Sequence, residues 1–178
     1  MISNKTVFIL IGPKGSGKSH VGTVLKKYFG IPFLNVDKLG LENISKSKLL
    51  GEDLIKEGFH FEEEKIAEIL QAGDSVAFEA TGSHAYFFVV LNRLRSTYAV
   101  KLIRVSAPLD KCRERMATRD QTKNIPVSSE LIQSINERAL KVRLPWDLEL
   151  DNSVDISEAT IVAAFQSKFS SFKTQFSI

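Results

Sequence analysis

Gly12-Pro13-Lys14-Gly15-Ser16-Gly17-Lys18-Ser19 satisfies the pattern G-x-x-x-x-G-K-[ST] at every fixed position. Its flanks give it meaning. Before it, Thr6–Ile11 (TVFILI) is an apolar, β-branched run that reads as a buried strand. After it, His20–Phe29 carries Val21, Val24, Leu25 and Tyr28 at helical spacing. The glycines therefore fall at a strand-to-helix turn, where successive backbone N–H groups form a concave anion site. The helix N-terminus adds its partial positive charge. Pro13 has no N–H, so the backbone donors run from Lys14 to Ser19. Lys18 reaches β- and γ-phosphates, the Ser19 hydroxyl suits Mg²⁺, and His20 lies next to the nucleotide. Gly12 to His20 is thus the candidate nucleotide site, with ATP and Mg²⁺ as its expected ligands.

Outward from this loop, strand-like and helix-like segments alternate, which predicts an α/β fold with a parallel sheet. Strands are expected at Ile31–Val36, Ser75–Ala80, Val100–Val105 and Leu148–Leu150. Helices are expected at Lys46–Lys56, His60–Gln71 (separated at Gly58), His84–Arg95, Leu109–Arg119, Ser128–Arg143 and Ser157–Phe172. Arg119–Val127 reads as a polar loop, and the chain as one domain with its lid at about 119–127. The Phe stripe of the last helix reads as a face docked on the sheet. Glu62-Glu63-Glu64 reads as a solvated face, because three consecutive positions fan around a helix and cannot converge on one ion.

Composition excludes several function classes. At 43% hydrophobic and 25% charged, the 178 residues are those of an ordinary soluble domain. No apolar run approaches the ~20 residues that span a bilayer, and MISNKTVFILIG does not read as a signal peptide. One cysteine, Cys112, excludes an intrachain disulfide and a Cys-rich metal site. A cytoplasmic setting is the simplest expectation. A net charge of +3 suits phosphate handling and gives no reason to expect nucleic acid.

In an open parallel sheet, ligands bind beyond the carboxyl ends of the strands. Asp37 follows the second expected strand and could take a proton from an acceptor hydroxyl. Glu79 ends the third, where an acid orders Mg²⁺ or the attacking group. Which of the two is the base stays open. After the fourth strand come Arg113, Arg115, Arg119 and Lys123. Arginines that meet transferring phosphoryl oxygens are expected here. Arg115 and Arg119 share a helix face, Arg119 is the preferred catalytic one, and Arg138 is a further candidate. Asp37-Lys38-Leu39-Gly40 spells the D-x-x-G of GTPase switches, but no N-K-x-D motif follows it.

With these residues in place, the chain resembles small P-loop kinases of the shikimate-kinase-like and nucleoside-monophosphate-kinase group. The resemblance rests on Gly15–Ser19, on Phe33-Leu34-Asn35-Val36-Asp37 beside F-V-D-T-D, and on Arg119-Asp120 with Lys123 beside the R-D-x-x-R lid. Glu137-Arg138 and Asp147–Ser153 (DLELDNS) extend it. His60 stands where shikimate kinases carry the acceptor-gripping Arg, and Ala80-Thr81-Gly82 stands in place of Gly-Gly-Gly, which marks His60 and Gly82 as substrate-side positions. Asn35 replaces the first acid. The resemblance implies a three-layer P-loop NTPase fold with five parallel strands in order 2-3-1-4-5. It also implies transfer of the γ-phosphoryl group of ATP to a small-molecule hydroxyl or phosphate. A nucleoside monophosphate kinase is the same-class alternative, but Lys38–Gly73 contains no Arg to grip a second phosphate. A catalytically weak ATP-binding regulatory protein is the alternative from another class.

Overall fold

The computed structural model describes residues 3–44, 49–118 and 128–175. Its centre is β1 (Ser3–Ile11), whose last five residues are almost fully buried. Side chains alternate across a strand, so β1 feeds two cores. Phe8 and Leu10 face α1 (Lys18–Phe29), and Val7, Ile9 and Ile11 face the opposite layer. That second layer includes α3 (Gly51–Ala72) and α4 (Ala85–Thr97). Burial on both faces makes the strands continuous apolar runs, which is why they were visible in the sequence.

Five parallel strands form the sheet in the order β2-β3-β1-β4-β5. The others are β2 (Phe33–Leu34), β3 (Ser75–Ala80), β4 (Tyr98–Ser106) and β5 (Leu148–Asp151). Ile11 pairs with Ala80 on one side and Arg104 on the other, so β1 and β3 end level where the phosphate loop begins, and β4 runs on to Ser106. Helices α2 (Val36–Ile44), α5 (Leu109–Ala117), α6 (Ser129–Lys141) and α7 (Glu158–Lys168) complete the order. Helices on both faces make three layers. Among the described residues no helix is long and apolar enough to cross a membrane.

The Phe stripe does dock on the sheet. Phe8 meets Phe165, Phe169 and Phe172 at ring-centroid distances of 5.1, 5.3 and 5.1 Å. Its helix, α7, stops at Lys168, short of the expected Phe172.

Three expectations need correction. The strand expected over 31–36 pairs only at Phe33 and Leu34, because the Asn35 side chain accepts the Lys38 N–H at 2.8 Å and starts α2. Asp37 consequently sits in the first turn of α2. The two helices expected either side of Gly58 are one 22-residue helix. A single interior Gly costs about 1 kcal/mol, and the packing of α3 against β3 and α4 outweighs that. Finally, Glu62–Glu64 is not a uniformly solvated face: Glu64 is exposed, whereas Glu62 and Glu63 are half-buried.

Candidate active site

The phosphate loop owes its shape to its glycines. Gly15 and Gly17 have φ of 87° and 99°, a left-handed region that L side chains rarely adopt. Space forbids a side chain as well: a Cβ on Gly15 would strike the Cys112 carbonyl, and one on Gly17 would strike the Asn152 amide. Cys112 is therefore the floor of the loop, fully buried, with a thiol that burial pushes upward and away from reactivity.

Two asparagines fasten the loop from outside. Asn136 of α6, 2% exposed, accepts the Lys14 N–H at 2.7 Å and returns a hydrogen bond to the Lys14 carbonyl at 3.0 Å. Asn152, just past β5, donates to the Ser16 carbonyl at 2.8 Å. Its own Oδ1 accepts the Ile156 N–H at 2.9 Å. Sequence reasoning missed both roles. The available signal was a polar residue on the buried side of an amphipathic helix, with Ile132 four residues before Asn136 and Ala139 three after.

Three chemical groups converge on the loop. Lys18, 6% exposed, donates to the Gly12 and Pro13 carbonyls at 2.9 and 2.8 Å. The Ser19 hydroxyl donates to Glu79, 3.1 and 2.9 Å from its two carboxylate oxygens. Lys14 Nζ reaches Asp37 Oδ1 at 3.0 Å. Lys14, Gly15, Gly17, Lys18, Ser19, Asp37, Glu79 and Thr81 all line one pocket of about 60 Å³. Gly82 follows Thr81 with φ 68°, packed against Ile11 and Val142, and turns the chain from β3 toward α4.

A second cleft of about 390 Å³ opens on the other side of the loop. Gly15, Gly17, His20, Arg115, Asn152 and Asp155 line it. Arg115 spans it, donating to the Asn152 carbonyl and Asp155 Oδ1, each at 2.8 Å. The cleft suits a nucleoside beside loop-bound phosphates.

Other expected site residues lie apart. Arg138 is exposed and donates back to the Ser134 carbonyl within its own helix. Arg113 lines a larger cavity of about 650 Å³ between α5 and α6. His60 is exposed on α3, 3.1 Å from the Tyr86 hydroxyl and 3.6 Å from Glu63. Arg119, Lys123 and the expected lid at 119–127 lie outside the described residues.

The donor set fits Mg²⁺. Among the described residues no group of three or more His, Cys, Asp and Glu is arranged to hold a metal. The pair of one hydroxyl and one carboxylate, Ser19 with Glu79, suits an ion that keeps waters and shares substrate phosphates. The buried Ser16 hydroxyl, without a partner among the described residues, adds a polar atom to the cradle.

Comparison with known proteins agrees with the fold. Residues 7–141 match the family described as AAA domain. No curated protein matches the sequence. Among solved structures, the chain is similar to a sugar kinase from Janibacter sp. HTCC2649 with 17% identity and a TM-score of 0.68, covering 93% of this chain and 95% of that one. It is similar to a putative kinase from Chloroflexus aurantiacus J-10-fl with 18% identity and a TM-score of 0.66, covering 94% and 100%. It is also similar to shikimate kinase from Aquifex aeolicus VF5 with 20% identity and a TM-score of 0.57, covering 93% and 96%. The fold these share is the small P-loop kinase fold.

Proposed function

The chain belongs to the AAA domain family, and from that premise we propose that it is an ATP-dependent phosphotransferase acting on a small-molecule hydroxyl or phosphate. One observation carries the reading. A single pocket holds the phosphate loop, Lys18, and two carboxylates, Asp37 and Glu79, brought from different elements.

The two acids divide the work. Glu79 accepts from Ser19 through both oxygens, so these two residues would hold Mg²⁺. The ion would neutralise charge on the β- and γ-phosphates. Asp37 is left for the acceptor. Lys14, 3.0 Å away, keeps its carboxylate in place. Asp37 takes the acceptor hydroxyl proton as the acceptor oxygen bonds to the γ-phosphorus. The bond from that phosphorus to the β,γ-bridging oxygen breaks, and ADP leaves with its charge met by Lys18 and the amides of Lys14 to Ser19. Arg115 and His20 border the nucleoside cleft.

Asn35 does not count against catalysis, because its side chain has a structural task as the cap of α2. The test is ADP release from MgATP, alone and with a panel of sugars, sugar acids, shikimate, nucleosides, nucleoside monophosphates, nucleotide-sugars and 5′-hydroxyl oligonucleotides. A large acceptor-dependent rise is expected. A flat panel with normal ATP binding would replace this reading with a regulatory nucleotide-binding protein.

A further inference from the structure

Lys14 is rooted in the phosphate loop and bonded outside it. Its backbone is fixed by Asn136, which takes the Lys14 N–H at 2.7 Å and donates to the Lys14 carbonyl at 3.0 Å. From this fixed origin the side chain crosses to α2, where Nζ donates to Asp37 Oδ1 at 3.0 Å. The two side chains are only 21% and 20% exposed, so solvent screens their charges less than it would at the surface. Asp37 takes one of the three N–H donors of the ammonium. Among the described residues nothing takes the other two.

The motif does not ask for this lysine. Its position is one of the four variable ones in G-x-x-x-x-G-K-[ST], and any residue with an N–H would satisfy Asn136. The charge is therefore this chain's own addition. It lies in a small pocket, about 60 Å³, whose other walls include Lys18, Ser19, Glu79 and Thr81. A group that enters meets several of these side chains at once. In the reading above, the γ-phosphoryl group starts at the loop and the acceptor hydroxyl waits at Asp37. Lys14 starts from the first place and ends at the second.

We propose that Lys14 is a further catalytic residue, whose ammonium donates to the oxygens of the phosphoryl group as it passes from ATP to the acceptor. The proposal rests on the phosphotransferase reading and adds to it a cation supplied from the acceptor side. In the transfer, the acceptor proton goes to Asp37 and the acceptor oxygen bonds to the γ-phosphorus. The bond to the β,γ-bridging oxygen breaks, and ADP leaves with its electron pair. Lys14 exchanges no proton. It offsets the charge spread over the transferring oxygens, which Lys18 meets from the loop side.

The test needs no identified acceptor. Affinity of the whole protein for MgADP is measured with and without AlF₄⁻, which beside MgADP imitates the transferring phosphoryl group with water in the acceptor's place. In the wild type AlF₄⁻ is expected to tighten MgADP binding about a hundredfold or more. Lys14→Met leaves the loop amides in place, so it is expected to bind MgADP within about threefold of the wild type and to lose about tenfold or more of the tightening. Lys14→Gln takes its place if Lys14→Met does not fold. The Asp37→Asn background separates a direct role from one exerted through Asp37. There, Lys14→Met is expected still to cost about fivefold or more of the tightening. Tightening retained without the lysine overturns the proposal, and so does a double variant that loses no more than Asp37→Asn alone. A wild type that binds no MgADP, or whose MgADP affinity AlF₄⁻ leaves unchanged, shows instead that the phosphotransferase reading has failed, and the proposal falls with it.

Discussion

Lys18 places a positive charge between two carbonyls of its own loop, at 2.9 and 2.8 Å, so its removal alters the charge of the cradle far more than the packing of the core. Lys18→Ala is expected to lower kcat/KM by about 10²–10³-fold or more while the far-UV circular dichroism stays that of the wild type. Turnover retained in a folded Lys18→Ala protein would refute the site. Glu62 makes the residue-scale prediction for pH. Its carboxyl moves from an ordinary 4.5 to about 8 in the folded chain. Between those values the folded state keeps a proton that the unfolded state has released, so stability falls as pH rises from 4.5 to about 8 and levels off above. Glu62→Gln abolishes that loss. Its Tm is expected to exceed the wild type by about 4 °C or more at pH 9 and to match it at pH 4. A difference that is the same at both pH values would show that burial of this carboxyl is not the cause.

At the scale of elements, α6 reaches the loop through Asn136 and presents Arg138 to solvent. Asn136→Ala leaves a backbone N–H and a carbonyl of Lys14 without partners, at a cost of about 1–3 kcal/mol. The displaced loop is expected to raise the apparent KM for ATP roughly tenfold or more. Arg138→Ala is expected to stay within about 0.5 kcal/mol of the wild type. Denaturant unfolding and ATP saturation curves separate the two. The same contrast explains what could be read in advance. Strands β1, β3 and β4 were legible because burial on both faces leaves unbroken apolar runs. The phosphate loop was legible because its chemistry is local. Gly58 misled because propensity is weak beside packing. Glu62 misled because three acids in a row look solvated until the register of α3 against β3 is known. Asn136 was illegible as a clamp because its partner is 122 residues away.

On the scale of the whole molecule, the pocket draws on the first strand turn, α1, α2 and β3, and the nucleoside cleft adds α5 and the turn after β5. Ligand binding is therefore linked to the global unfolding of the sheet. At MgATP about 100-fold above its Kd, stabilisation of about 2.7 kcal/mol is expected, which for a chain of this size raises Tm by roughly 5–10 °C. Excess chelator is expected to reduce the shift, since Ser19 and Glu79 would then lack their ion. No shift at saturation would mean that nucleotide does not bind the loop. The order of strands was foreseen through the resemblance to small P-loop kinases, which implies 2-3-1-4-5. The acceptor was not, because it depends on side chains that meet only after folding. One feature reaches further. Ser16 is fastened by a residue 136 positions downstream. During synthesis the loop emerges before Asn152, so this fastening is absent until Asn152 follows it out. Contacts of such sequence separation form late, so a chain truncated before Asn152 is expected to carry the complete signature of a nucleotide site and to bind nucleotide more weakly than the whole chain. Nucleotide binding would then report that the last strand is in place.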